Sequence, residues 1–216
     1  MPFWDRKIDV VIATHPDADH IAGLVDVLKN YTVDEVIESG AESQSQVFKA
    51  MEKIIEDKKM EKQIARRGMK IRLSADTELK ILGPDEKDAK NLQDTNSASI
   101  VARLTYGKNS FLFTGDLPTE TEMQMLKNNL FLATNILKVA HHGSKFATST
   151  EFLDKIDSKE AVISVGKNNR YGHPAMELLN RLKEKNIKIL RTDEMGDVIY
   201  ECNNIKNECK LATMNY

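Results

Sequence analysis

A chain of 216 residues with 41% hydrophobic content is long enough for one large core or two small ones, and 30% charged residues at a net charge of −2 give it a surface of mixed sign. That balance excludes a protein that coats nucleic acid through a basic excess, but not an enzyme that grips one phosphodiester. No apolar run is long enough to span a bilayer, and MPFWDRK at the start has no signal-peptide core.

In chain order, IDVVIAT at 8–14 reads as a strand buried on both faces, residues 20–30 as a helix and VDEVIE at 33–38 as a second strand, together a βαβ unit. Gly40 punctuates the chain. From Ser45 to about Arg67 the apolar Val47, Met51, Ile54 and Ile55 recur at helical spacing among lysines and glutamates, which predicts one amphipathic helix with a solvated face. The strand-like MKIRLS and TELKILGP follow, then SIVARLTYGKNSFLFTG, a hairpin turning at Gly107, Lys108 and Asn109. A helix over 118–128 has Pro118 suited to its first turn. The pattern then repeats as strand NILKVA, a helix near 149–157, strand AVISVG, a helix over 175–185, strand IKILR and a last strand DVIYEC. Such alternation specifies an α/β fold. Cys202 and Cys209 in ECNNIKNEC have no histidine nearby, so they read as two free thiols in preference to a hairpin disulfide, and not as zinc ligands.

The polar residues that interrupt this pattern gather at strand ends. All five histidines (His15, His20, His141, His142 and His173) stand at or shortly after the C-terminal end of a predicted strand, the edge where open α/β sheets build their sites. The hexapeptide HPDADH at 15–20 puts four metal-binding or proton-moving groups into one turn. A strand end holds His15 and Asp17 on one side, with Asp19 and His20 at the helix start. Asp19 alone has a simpler role available as a helix N-cap. Two carboxylates and two imidazoles sharing a buried turn are costly unless a cation resolves them. In FLFTGDL, Asp116 follows a strand and a glycine, where one carboxylate can bridge two metals. In LKVAHHGS, neighbouring strand residues point opposite ways, so one of His141 and His142 is a ligand, and we take His142. Gly143 and Ser144 permit close approach of a substrate.

In that order, HPDADH, TGD, HHGS and YGHP resemble the metallo-β-lactamase superfamily, and within it the hydrolase domain of the ComEC-like DNA-internalisation competence proteins, from about Lys7 to about Tyr200. The resemblance implies an αββα sandwich as a single domain over 1–216. It also implies that the first strands are missing, since only fourteen residues precede His15; the first sheet would then have an exposed apolar edge through which the chain could self-associate. It carries metal binding onto His15, Asp19 and His20, with Asp17 in the place of the superfamily's second histidine. The bridging aspartate falls on Asp116 and the late histidine on His142, and Asn96 in DTNSAS stands near the metals by analogy. Carboxylate and amide oxygen in place of imidazole harden the site, so two divalent ions are expected with Mn²⁺ favoured over Zn²⁺ or Mg²⁺.

The implied activity is metal-dependent hydrolysis of a phosphodiester, DNA in the first instance. Asp19 and His20 would orient water, and His173 would donate to the phosphoryl oxygen. Arg170, Tyr171 and Lys167 surround His173 with groups suited to phosphate, and Ser144 and Lys145 add contacts. Alternatives are hydrolysis of a small ester, thioester or lactam, or a metal-binding module without catalysis. The expected location is cytoplasmic for the chain as it stands, and the outer face of the cytoplasmic membrane for a fragment of a ComEC-like protein.

Overall fold

The run KIDVVIA forms strand β1 (Lys7–Ala13), which pairs in parallel with β2 (Thr32–Glu38) across helix α1 (Ala18–Asn30); it is buried only at Val11 and Ala13, so the expectation of burial on both faces does not hold at its charged start. The computed structural model describes residues 4–85, 94–128 and 130–212. They divide into two compact units, one of Met1–Arg67 with Gly83–Ile100, the other of Gly68–Leu82 with Val101–Tyr216. The alternation of strands and helices is the α/β pattern that the sequence predicts.

In the first unit helix α2 (Gln46–Asp57) and strand β3 (Glu61–Ile64) follow, giving a parallel sheet in the order β1-β2-β3. Val11, Ile21, Leu28, Val36, Met51 and Ile55 fill its core, and burying each such side chain is worth about 1.5–3 kcal/mol. Strand β3 corrects the expectation of one helix from Ser45 to Arg67. The helix begins as expected, with the Ser45 hydroxyl accepting from Phe48 N–H, but it ends at Asp57. Lys59 takes a left-handed conformation there, and Lys58 Nζ donates to the Leu28, Lys29 and Tyr31 carbonyls at the end of α1. The next residues join β2 as a ladder, Glu38 opposite Ile64. EKQI has no strand-like alternation of its own, so tertiary pairing overrides local pattern. Strand β1 is the edge of this sheet, and its exposed Lys7 and Asp9 are charged. A 3-10 turn (Thr95–Ala98) follows later in the chain, and Ile100 N–H donates to the Thr14 carbonyl, which brings that segment to the end of β1.

The second unit carries a seven-stranded sheet in the order β10-β9-β8-β7-β6-β5-β4. Its strands are β4 (Lys70–Arg72), β5 (Thr77–Gly83), β6 (Val101–Tyr106), β7 (Asn109–Phe113), β8 (Ile136–Lys138), β9 (Glu160–Ile163) and β10 (Lys188–Arg191). Strands β7 to β10 are parallel neighbours, whereas β6–β7 and β4–β5 are antiparallel hairpins. Helices α3 (Thr119–Lys127), α4 (Thr150–Ile156) and α5 (Met176–Glu184) contribute Met125, Phe152, Leu153, Leu178 and Leu182 to a core with Leu112, Leu137 and Ile163 of the sheet. Pro118 is the N-cap of α3 and not part of its first turn. A four-residue helix α6 (Thr192–Met195) leads to the short antiparallel pair β11 (Tyr200–Glu201) and β12 (Lys210–Leu211).

The predicted last strand is thus reduced to two residues, and Cys202 and Cys209 are joined in a disulfide, which corrects the reading of two free thiols. Their Cα atoms are 4.3 Å apart because β11 and β12 pair beside them. The loop between them docks on the β6–β7 turn. The Asn109 side chain donates to Asn207 O and accepts from Cys209 N–H, both at 2.7 Å.

Candidate metal centre

In the first unit the chain leaves β1 at Ala13 and reaches His15, 1% exposed, before α1 begins. His15 Nδ1 lies 3.1 Å from the Thr14 hydroxyl and 3.4 Å from that of Ser99, while Nε2 faces Asp17 Oδ2 at 4.0 Å. The expected convergence of His15 and Asp17 on one side of the strand end is therefore present. Asp17, and not Asp19, is the N-cap residue of α1. Its carboxylate makes no capping bond; Oδ1 accepts from the Thr95 hydroxyl at 2.6 Å. Asp19 stands exposed in the first turn, its Oδ2 4.0 Å from His20 Nε2, and the His15 and His20 ring centroids are 4.1 Å apart. Asn96 N–H donates to Asp94 Oδ1, and its own Oδ1 is buried with no hydrogen-bond partner among the described residues.

In the second unit the site residues leave the C-terminal ends of three adjacent parallel strands. After β7, Gly115 turns with φ +53° and buries Asp116, 3% exposed. After β8, Ala140–Gly143 forms a 3-10 turn tied to the first by His141 N–H donating to Gly115 O and by the Thr114 hydroxyl donating to Lys138 O. His141 and His142 are not strand residues. Both are left-handed, with φ of 50° and 52°, so their side chains do not alternate, and both Nε2 atoms face Asp116 Oδ2, at 3.9 Å and 3.6 Å. Strand alternation therefore does not single out His142. A different observation distinguishes the pair: His142 Nδ1 lies 2.8 Å from Ser164 O. That oxygen can only accept, so Nδ1 carries the proton and Nε2 keeps the lone pair a metal needs.

After β9, the loop to His173 is built around Asn169. Its side-chain oxygen accepts from Tyr171 N–H and His173 N–H, and its amide donates to His173 O. His173 stands 6.0 Å from His141 and stacks on Tyr171 at 5.9 Å, centroid to centroid. Burial, then the neighbouring His141 and His142, hold its imidazole below the ordinary histidine range against the opposing pull of Asp116. A neutral ring can still donate an N–H. Arg170 donates to the Tyr171 hydroxyl at 2.7 Å and Lys145 lies over the Phe146 ring. Ser144 is buried, its hydroxyl accepting from Phe146 N–H. Gly143 does admit a close neighbour, but that neighbour is Pro174, 2.6 Å from where a Cβ would stand.

The sequence reading missed the supports of this turn. Glu122 is buried beneath the 144–149 loop, accepting from Thr148 N–H and, at 2.9 Å, from Ser149 N–H. Burial pushes its carboxyl above the usual range, with the two backbone donors and Arg181 opposing. Arg181 donates to the carbonyls of Lys145, Ala147 and Thr148. An acid on one helix and a base on another, with no local motif between them, leave no mark in the sequence.

A superfamily profile matches residues 5–167, a span that includes HPDADH, TGD and HHGS. The chain is 34% identical over 200 residues to ComE operon protein 3 of Bacillus subtilis, covering 92% of this chain and 25% of that protein. It is 32% identical to competence protein ComA of Neisseria gonorrhoeae, over 88% of this chain and 25% of that one. It thus spans about a quarter of the length of these relatives. Among solved structures, CmlA from Streptomyces venezuelae, a diiron beta-hydroxylase, superposes with a TM-score of 0.56 at 12% identity, over 86% of this chain and 44% of that one, which shows a shared fold. By its motifs, its strand-end histidines and its fold, this chain belongs to the metallo-beta-lactamase superfamily and is similar to the competence proteins.

Proposed function

We propose that this chain is a metal-dependent phosphodiesterase that cleaves DNA. The observation that carries the reading is the buried Asp116 carboxylate flanked by His141 and His142 at the end of parallel strands, in a superfamily member similar to competence proteins. The donor set suits divalent ions: carboxylates, imidazoles and an amide oxygen, with the His142 ring oriented by its Nδ1 contact to Ser164 O. His15, Asp17, Asp19, His20, Asp116 and His142 would hold two ions, with Asp116 bridging. The oxygens of Asp17 and Asn96 favour Mn²⁺ over Zn²⁺. When bound, the ions would supply Lewis acidity toward the phosphoryl group and lower the pKa of water.

The side chains supply the rest. Asp19, exposed in the first turn of α1, accepts a proton from the attacking water and orients it, with His20 beside it. His173, fixed by the Asn169 loop, donates an N–H to a phosphoryl oxygen. Lys145 and Arg170 bind flanking phosphates, and Tyr171 covers His173. Ser144 holds the turn through Phe146 N–H and contacts substrate only through it.

Among the described residues no helix is long and apolar enough to cross a membrane. The Cys202–Cys209 disulfide supports placing the domain on the oxidising, outer side of a cytoplasmic membrane. The test is to incubate the chain with single-stranded DNA and Mn²⁺. Cleavage abolished by Asp116→Ala is expected. Cleavage of small esters but not DNA, or metal binding with no hydrolysis, would refute the reading.

A further inference from the structure

Two aromatic rings stand out in the open beside the histidines of the second unit, Phe146 at 69% and Tyr171 at 65% exposure. Neither sits on a loose segment. The Phe146 carbonyl accepts from both Thr119 N–H and the Thr119 hydroxyl at 3.0 Å, and Arg181 fixes the carbonyls on either side of it. Asn169 fixes the loop of Tyr171, and Ala175 N–H donates to Gly143 O, which joins the two loops at their bases. Rigid loops that hold apolar planes in water gain nothing from folding by doing so. Each ring also has a cation over one face, Lys145 Nζ 5.1 Å from the Phe146 centroid and the Arg170 guanidinium 4.9 Å from that of Tyr171, and Tyr171 stacks on His173 as well, which makes Phe146 the more open of the two. A flat apolar surface with a cation attached matches one nucleotide unit, a base to stack and a phosphate to pair.

We infer that Phe146 and Tyr171 are base-stacking platforms that bind unpaired nucleobases of single-stranded nucleic acid on either side of the scissile phosphate. This deepens the phosphodiesterase reading and rests on it for the position of the cleaved bond. The stacking itself requires no catalysis. Because every base has a π-face, binding is tolerant of sequence but demands that bases be unstacked, which a duplex does not offer.

Binding is measured on the full chain in chelator, so that no cleavage intervenes, by fluorescence anisotropy with an end-labelled 20-mer of deoxythymidine. The second probe is a 20-mer of abasic sugar phosphates, which keeps the charges and removes the bases. The parent should bind the thymidine strand more tightly than the abasic one. Phe146→Ala and Tyr171→Ala should each weaken thymidine binding by roughly 5- to 150-fold while weakening abasic binding far less, by no more than the loss of the cation each ring holds, and Phe146→Trp and Tyr171→Trp should restore it. Equal parent affinity for the two strands, or alanine variants that lose affinity for both alike, would overturn the assignment. So would loss of binding to anionic phospholipid vesicles in the alanine variants with no effect on thymidine binding, which would make the rings a membrane contact. Base-dependent binding without Mn²⁺-dependent cleavage would sustain the platforms and refute the nuclease.

Discussion

Glu38 ends β2 opposite Ala13 and is 7% exposed, with Oε1 buried and without a hydrogen-bond partner among the described residues. Burial, and next the neighbouring Glu52, push its carboxyl from an ordinary 4.5 up to about 7, while Lys62, 3.3 Å away, pulls the other way without prevailing. A folded-state pKa above the unfolded one means that the folded chain binds the extra proton between these values, so stability falls as pH rises through that window. At about 1.4 kcal/mol for each tenfold step, full ionisation of Glu38 costs the fold roughly 3–4 kcal/mol, somewhat less of it between pH 4.5 and pH 8 because the unfolded carboxyl is already half ionised at the lower value. Glu38→Gln removes the ionisation and keeps the shape. Urea unfolding followed by far-ultraviolet circular dichroism, in chelator, at pH 4.5 and pH 8 gives the comparison. The stability of the variant relative to the parent should rise by roughly 2–3 kcal/mol from the lower pH to the higher. Parallel pH dependences for parent and variant would refute the argument, and with it the buried, underpaired state of this carboxylate.

Asp116→Asn should keep the fold and lower bound metal measured by elemental analysis, because an amide cannot bridge as a carboxylate does; full metal content would remove Asp116 from the ligand set. His173→Ala should lower turnover by roughly 10²- to 10³-fold with metal content retained, and loss of an ion instead would make His173 a ligand. Glu122→Ala strips the acceptor from Thr148 N–H and Ser149 N–H, so unfolding in urea should show a loss of about 2–5 kcal/mol, and a loss within error would show that the 144–149 loop does not depend on Glu122. Asp17→His should raise zinc affinity in competition titrations and reduce Mn²⁺-supported activity; an unchanged preference would place Asp17 outside the ligand set, with its bond to Thr95 as its whole role.

What was legible in the sequence follows from which signals are local. IDVVIAT, NILKVA and AVISVG are short apolar runs closed by polar turns, and each is a strand or contains one, so the histidines that follow them could be placed at a sheet edge before any coordinates. EKQI could not, because β3 owes its conformation to the backbone of β2. The two cysteines of ECNNIKNEC were misread as free thiols because nothing local announces their pairing; it is the pairing of Tyr200 with Leu211 that brings the sulfurs together. The orientation of His141 and His142 was misread because strand alternation presumes extended backbone, and nothing in HHGS announces two left-handed residues. Close approach at Gly143 was legible from its type, whereas its partner, Pro174, was not. Asn96 was named by analogy alone; the burial of its side-chain oxygen has no signature in DTNSAS.

The two left-handed histidines have a bearing on how this chain would respond to selection. A residue with a Cβ is disfavoured by about 1–2 kcal/mol in that conformation, where glycine is at ease, so positions 141 and 142 are places where the most stable sequence and the present one disagree. Directed evolution for heat tolerance alone, or redesign toward consensus backbone preferences, would drive both toward glycine and leave Asp116 facing an empty turn. The same conflict makes the pair a marker: a chain of this fold that still carries both imidazoles in so unfavourable a turn is one in which something other than stability has kept them.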